Sequence, residues 1–195
     1  MEEKPYLYIF RISHSYADIG NLRSKIPANE QCESDITRDW VEIFRYLKCV
    51  DNLSPSFFAG IYVYQDGLPN ISQEKVDKTV DETRSANYQI LRWLKEKGAV
   101  VLGTEDFKLL KEDYQASQVA GYPDREEDLI RLNQRDKFIA QRIKETLPEG
   151  KKGILFIGRK HDVSPLLDRE IQVLQPTLLV GEALRELHNF GKERK

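Results

Sequence analysis

Two cysteines, Cys32 and Cys49, are all the chain has in 195 residues. That is too few for a disulfide framework, and their spacing is not the CxxC of zinc or redox motifs. Long apolar runs are also missing. None approaches the ~20 residues of a membrane helix, and the opening MEEKPYLYIF is acidic, with no apolar stretch of signal-peptide length. A cytoplasmic protein without a membrane span is the expectation. Charge of one sign is absent too: 30 Lys and Arg set against 32 Asp and Glu leave a formal net charge of −2. With no global basic field there is no reason to expect nucleic-acid binding, so any charged recognition must be local and the expected partner is a small molecule. Neither GxxxxGK[ST] nor GxGxxG follows a predicted strand, which disfavours nucleotide binding through those loops, and no GxSxG elbow offers a hydrolase serine. Internal repeats and low-complexity segments are likewise missing.

What is present reads as one α/β domain over residues 1–195. Tyr6 to Phe10 (YLYIF) is aromatic and β-branched, as a strand should be. Residues 20–36 carry little periodicity and read as a lid or flexible loop. Asp35 or Thr37 can then cap a helix with Trp40, Ile43, Phe44 and Leu47 on one face. FFAGIYVYQDGLPN reads as a buried strand leaving the core at Asp66. One long helix follows through Val76, Val80, Tyr88, Leu91 and Leu94, with Gly98 as its C′ residue. AVVLG is a third strand opening into TED, and residues 107–119 read as a helix. A clear helical period runs from Leu129 to Leu147, GILFIG is a fourth strand, and PTLLV reads as a fifth, before a short helix with Leu184 and Leu187. Residues 189–195 read as a frayed tail. Strands that are continuously apolar and alternate with helices predict a mainly parallel sheet of about five strands, flanked by helices on both faces.

In such a sheet, ligands bind beyond the carboxyl ends of the strands. Those ends present His14 after the first strand, Asp66 after the second, Glu105 and Asp106 after the third, and His161 with Asp162 after the fourth. Two of the three histidines therefore lie on strand exits; His188 does not. Imidazoles beside carboxylates can bind a transition metal or run acid–base chemistry near neutral pH, so a divalent ion is a candidate cofactor. A second signal lies inside a helix. The stripe Leu129, Leu132, Ile139, Ile143, Leu147 has Asp136 at its missing member, and a buried aspartate needs a partner or a cavity wall. Arg135 precedes it, but neighbouring helical side chains diverge by about 100°, so the partner of Asp136 is expected elsewhere.

The order of these elements resembles the broad superfamily that includes erythromycin esterases, haem-binding ChaN lipoproteins and TraB/Tiki proteins. That group carries a GxxH after an early strand, an acidic residue after a following strand, a helical Arg motif and a second GxxH after a late strand. Gly158-Arg159-Lys160-His161 matches the late motif, RDKFIAQRI resembles the helical element with Arg135 in its motif position, and VVLGTED resembles the strand before the acidic loop. The early motif reads Arg11-Ile12-Ser13-His14, with arginine where the family has glycine. The resemblance implies a hydrolase of one of two kinds. In one, His14, His161 and a carboxylate, Glu105 or Asp66, hold a divalent ion that activates water. In the other, a histidine is the general base, and Arg135 or Arg159 stabilises developing negative charge. Asp66, Asp106, Asp136 and Arg159 then line the substrate side. The alternative is a non-catalytic member that binds a small anion, haem or a protein partner.

Overall fold

Gly153 to Ile157 is apolar without alternation, which demands apolar cover on both sides, and its strand is the central one of the sheet. The computed structural model describes residues 3–12, 30–116, 125–167 and 170–176. Its five strands are β1 (Tyr6–Ile12), β2 (Tyr62–Pro69), β3 (Val100–Glu105), β4 (Lys152–Gly158) and β5 (Gln172–Leu174). They form one sheet in the order β3-β2-β4-β1-β5, and every pair is parallel. The expectation of a single parallel α/β domain with helices on both faces holds.

Ile154 and Phe156 point into one core with α1 (Glu30–Leu53), α2 (Gln73–Glu82) and α3 (Ala86–Glu96). Leu155 and Ile157 point into the other, with α5 (Arg125–Thr146) and the short α6 (Ser164–Leu167). The order explains the split. From β1 the chain moves to β2 and then β3, always toward one edge, with its helices on one face. From β3 it turns back to β4 and then β5, and the helices change face. Reversing direction while keeping one crossover hand requires this change. Each fully buried Phe, Ile or Leu in these layers stabilises the fold by roughly 1.5–3 kcal/mol.

Several boundaries differ from the sequence reading. Helix α1 begins at Glu30, so residues 30–36 belong to it and not to a loop; Ile36, Trp40, Ile43, Leu47 and Val50 form its buried stripe. Residues 13–29, with His14, lie outside the described residues. The long helix expected after β2 is two. Thr83, the C-cap of α2, is extended, and Arg92 Nη1 donates to the Val80 and Thr83 carbonyl oxygens at 2.6 Å each. A side chain satisfies the chain end that an uninterrupted helix would have satisfied with backbone. Gly98 does close α3. At φ +88°, its N–H donates to Lys95 O, and that of Ala99 to Leu94 O, in a Schellman motif. The last strand described is Gln172–Leu174; PTLLV beyond its proline, and the rest of residues 177–195 with Leu184, Leu187 and His188, lie outside the described residues. Among those described, no helix is long and apolar enough to cross a membrane.

One irregularity positions the site. Gln65 pairs with Gly103 and Pro69 with Glu105, so four steps along β2 face two along β3. The extra length is a bulge over Asp66, Gly67 and Leu68, with Gly67 at φ +79°. Thr104 Oγ1 donates to the Gln65 carbonyl at 2.8 Å, and Asn70 N–H donates to the Glu105 carbonyl at 2.7 Å. Strand β2 therefore continues past Asp66, where a simple exit was expected. Gly103 allows the bulge to close, because a Cβ there would lie 2.0 Å from the Pro69 carbonyl oxygen. Gly103→Ala should consequently cost about 3 kcal/mol, at the upper end for a single substitution. Urea denaturation checks this, and wild-type stability would mean that the bulge yields freely.

Candidate functional site: a buried carboxylate, arginine and histidine cluster

The bulge turns Asp66 toward the face that carries α5, where Arg135 meets it. Arg135 Nη2 donates to Asp66 Oδ1 at 3.0 Å and to Glu105 Oε1 at 2.6 Å, while Nε donates to Glu105 Oε2 at 3.2 Å. Its Nη1 reaches Asp113 Oδ2 at 3.3 Å, on α4 (Phe107–Ala116). Glu105 is fully buried, and 13% of the Arg135 side chain is exposed. The forked contact with Glu105 suits a planar guanidinium and not an ammonium. Burial works against the Arg135 charge, yet Glu105, Asp66 and Asp113 hold it above its ordinary value. For Glu105 burial prevails: it pushes the carboxyl up to about 7, Arg135 opposes the rise and Asp66 adds to it.

His161 stands on the other side of Asp66, in the turn after β4. Its Nδ1 lies 2.5 Å from Asp136 Oδ1, and Asp136 Oδ2 accepts the Asp162 N–H at 3.0 Å. Because a carboxylate accepts, Nδ1 carries a hydrogen, and Nε2 stands 3.5 Å from Asp66 Oδ2, where the neutral imidazole presents a lone pair. That oxygen already accepts the Gly158 N–H at 2.8 Å. Arg11 Nη1 donates to the His161 carbonyl oxygen and holds the turn from the β1 side. Arg135 and Asp136 are adjacent on one helix, and their divergence sends one to the carboxylates and the other to the histidine.

Donor atoms of Asp66, Glu105 and His161 all lie within 4.8 Å of one another. Two donors at Zn-type bonds of ~2.0–2.1 Å in a tetrahedron stand roughly 3.3 Å apart. The 3.5 Å between Nε2 and Oδ2 fits that edge, and it is long for a hydrogen bond. A carboxylate on the far nitrogen of the histidine is also the usual support of a metal ligand. The residues present fit a small divalent cation.

Of the residues singled out from sequence, Asp66, Glu105, Arg135, Asp136 and His161 converge. Asp136 faces His161 and the Asp162 N–H, and so orients the histidine. Two others lie elsewhere. Asp106 Oδ1 accepts the N–H groups of Lys108 and Leu109 and caps α4. Arg159 is exposed and pairs with Asp39 of α1 at 2.8 Å. In each case a nearer partner claims the side chain. His14 lies outside the described residues. Asp113 was not anticipated: it follows Lys111 and Glu112 in an exposed helix, and no periodicity marks it. Arg11 has a contact that its sequence position did not announce.

The fold and the cluster together define a parallel α/β protein with a buried carboxylate, arginine and histidine site at the carboxyl ends of its strands. No family model, curated protein or solved structure matches the chain.

The raised Glu105 carboxyl has a stability consequence. The native state binds this proton more tightly than the unfolded chain, whose carboxyl titrates near 4.5. The stabilisation is complete below that value and is lost as pH rises through about 7. Glu105→Gln should flatten that part of the decline. Urea midpoints of both proteins across the interval, with chelator present, test it; parallel slopes would place the proton elsewhere.

Proposed function

We propose that this cluster is a hydrolytic centre assisted by a divalent cation. One observation carries the reading: in a buried site, Nε2 of His161 stands 3.5 Å from Oδ2 of Asp66, and the neutral imidazole presents a lone pair to that acceptor. Two lone pairs so placed repel unless a cation lies between them. Asp66, His161 and Glu105 would hold the ion. When bound, such an ion lowers the pKa of a coordinated water to about 7 and polarises the bond under attack. Asp136 keeps the Nδ1 hydrogen in place, so Nε2 stays available. Arg11 and the Gly158 N–H fix the turn and the carboxylate against which the histidine works. The likeness in motif order to the erythromycin esterase, ChaN and TraB/Tiki superfamily supports hydrolysis as the reaction class.

A second reading keeps the hydrolase without the ion. Arg135 already compensates both carboxylates, and Nε2 then serves as general base toward a water or substrate hydroxyl. Metal content separates the two. Protein purified without a histidine tag or chelator should retain a divalent ion and hydrolyse p-nitrophenyl acetate or p-nitrophenyl phosphate. Chelation should abolish both properties, and His161→Ala should lower the rate by about 10²-fold or more. Hydrolysis that survives chelation favours the second reading. A His161→Ala protein with wild-type rate and metal content would overturn both.

A further inference from the structure

Arg135 donates to three carboxylates on three elements: Asp66 of β2, Glu105 of β3 and Asp113 of α4. Two of these are also candidate ligands for the cation of the proposed function, and the guanidinium already supplies the positive charge they need. An ion on the same two carboxylates would stand within a few ångströms of it, in a site too dry to screen them. Asp113 offers Arg135 another anchor. It also forms an ion pair with Arg131, whose Nε stands 3.4 Å from Asp113 Oδ1, and Arg131 in turn pairs with Asp128 and Glu127. A chain of alternating charges thus runs from the buried cluster outward along the seam of α4 and α5. Helix α4 has no fully buried residue, only the half-buried Leu109, Leu110, Asp113 and Ala116, so these charge contacts add to a thin apolar face.

We propose that Arg135 is an internal counter-cation that competes with the divalent ion for Asp66 and Glu105, and that its transfer toward Asp113 signals occupancy to α4. This rests on the cation-assisted reading above. When the ion enters, Arg135 gives up the two inner carboxylates and relies on Asp113, which tightens α4 against α5. By linkage, whatever weakens the Asp113 anchor weakens ion binding, and whatever removes Arg135 strengthens it.

Calorimetric titration of the metal-free protein with Zn²⁺ alone, together with hydrogen exchange in α4, tests the proposal. Arg135→Gln should bind Zn²⁺ about tenfold more tightly than wild type, and Asp113→Asn several-fold more weakly, within the usual range of coupling between sites. In the Arg135→Gln background, Asp113→Asn should have no further effect. Simple long-range attraction would instead make the two changes additive. Zn²⁺ should slow exchange across α4 in wild type but not in Asp113→Asn, a comparison that stands even if Arg135→Gln fails to fold. Equal affinity in wild type and Arg135→Gln, additive effects, or α4 exchange indifferent to Zn²⁺ would overturn this inference and leave the cation reading standing. No Zn²⁺ binding by any of these proteins would overturn both.

Discussion

The guanidinium of Arg135 is the interaction on which the rest of the site depends. Asp66, in the bulge of β2, and Glu105, at the end of β3, are buried side by side, where two uncompensated carboxylates would repel each other with little water to screen them. A forked donor from α5 makes their proximity tolerable, and Asp113 completes its set of acceptors. Breaking one member of such a group leaves another buried charge unmatched, so strand bulge, helix and cluster stand or fall together.

Backbone features supply the placement. The missing Cβ at Gly103 lets β2 fold over β3, which brings Asp66 back over the sheet just where a regular strand would have carried it away. Gly158 contributes its N–H to Asp66, tying the end of β4 to the bulge of β2. Two consecutive residues of α5 then serve two functions, because their side chains leave the helix about 100° apart. Arg135 neutralises the carboxylates, and Asp136 orients His161.

This division gives the site its chemical character. A histidine held by a carboxylate on one nitrogen and aimed at a second carboxylate with the other is arranged for a cation or for a proton. The same surplus of negative charge argues against capture of a small anion, one of the alternatives raised from sequence. Placing α4 on the outer side of Arg135, through Asp113, joins this chemistry to a helix without a fully buried residue.

Sequence by itself determined the architecture, because continuous apolar strands alternating with one-sided helices have few ways to bury their surfaces other than a parallel sheet with two helical layers. It also marked Asp136, since a charge on an apolar stripe demands a partner, and it marked the strand exits that carry Asp66, Glu105 and His161. Tertiary structure alone decided which of those exits meet. Asp106 and Arg159 occupy equally promising positions, yet one caps its own helix and the other reaches Asp39, because local hydrogen bonds and nearby counter-charges are invisible to spacing rules. The bulge at Asp66 and the part played by Asp113 depend on contacts between residues 22 to 69 positions apart. No period along the chain encodes such a contact; it exists only once the sheet has assembled and buried charges must find one another.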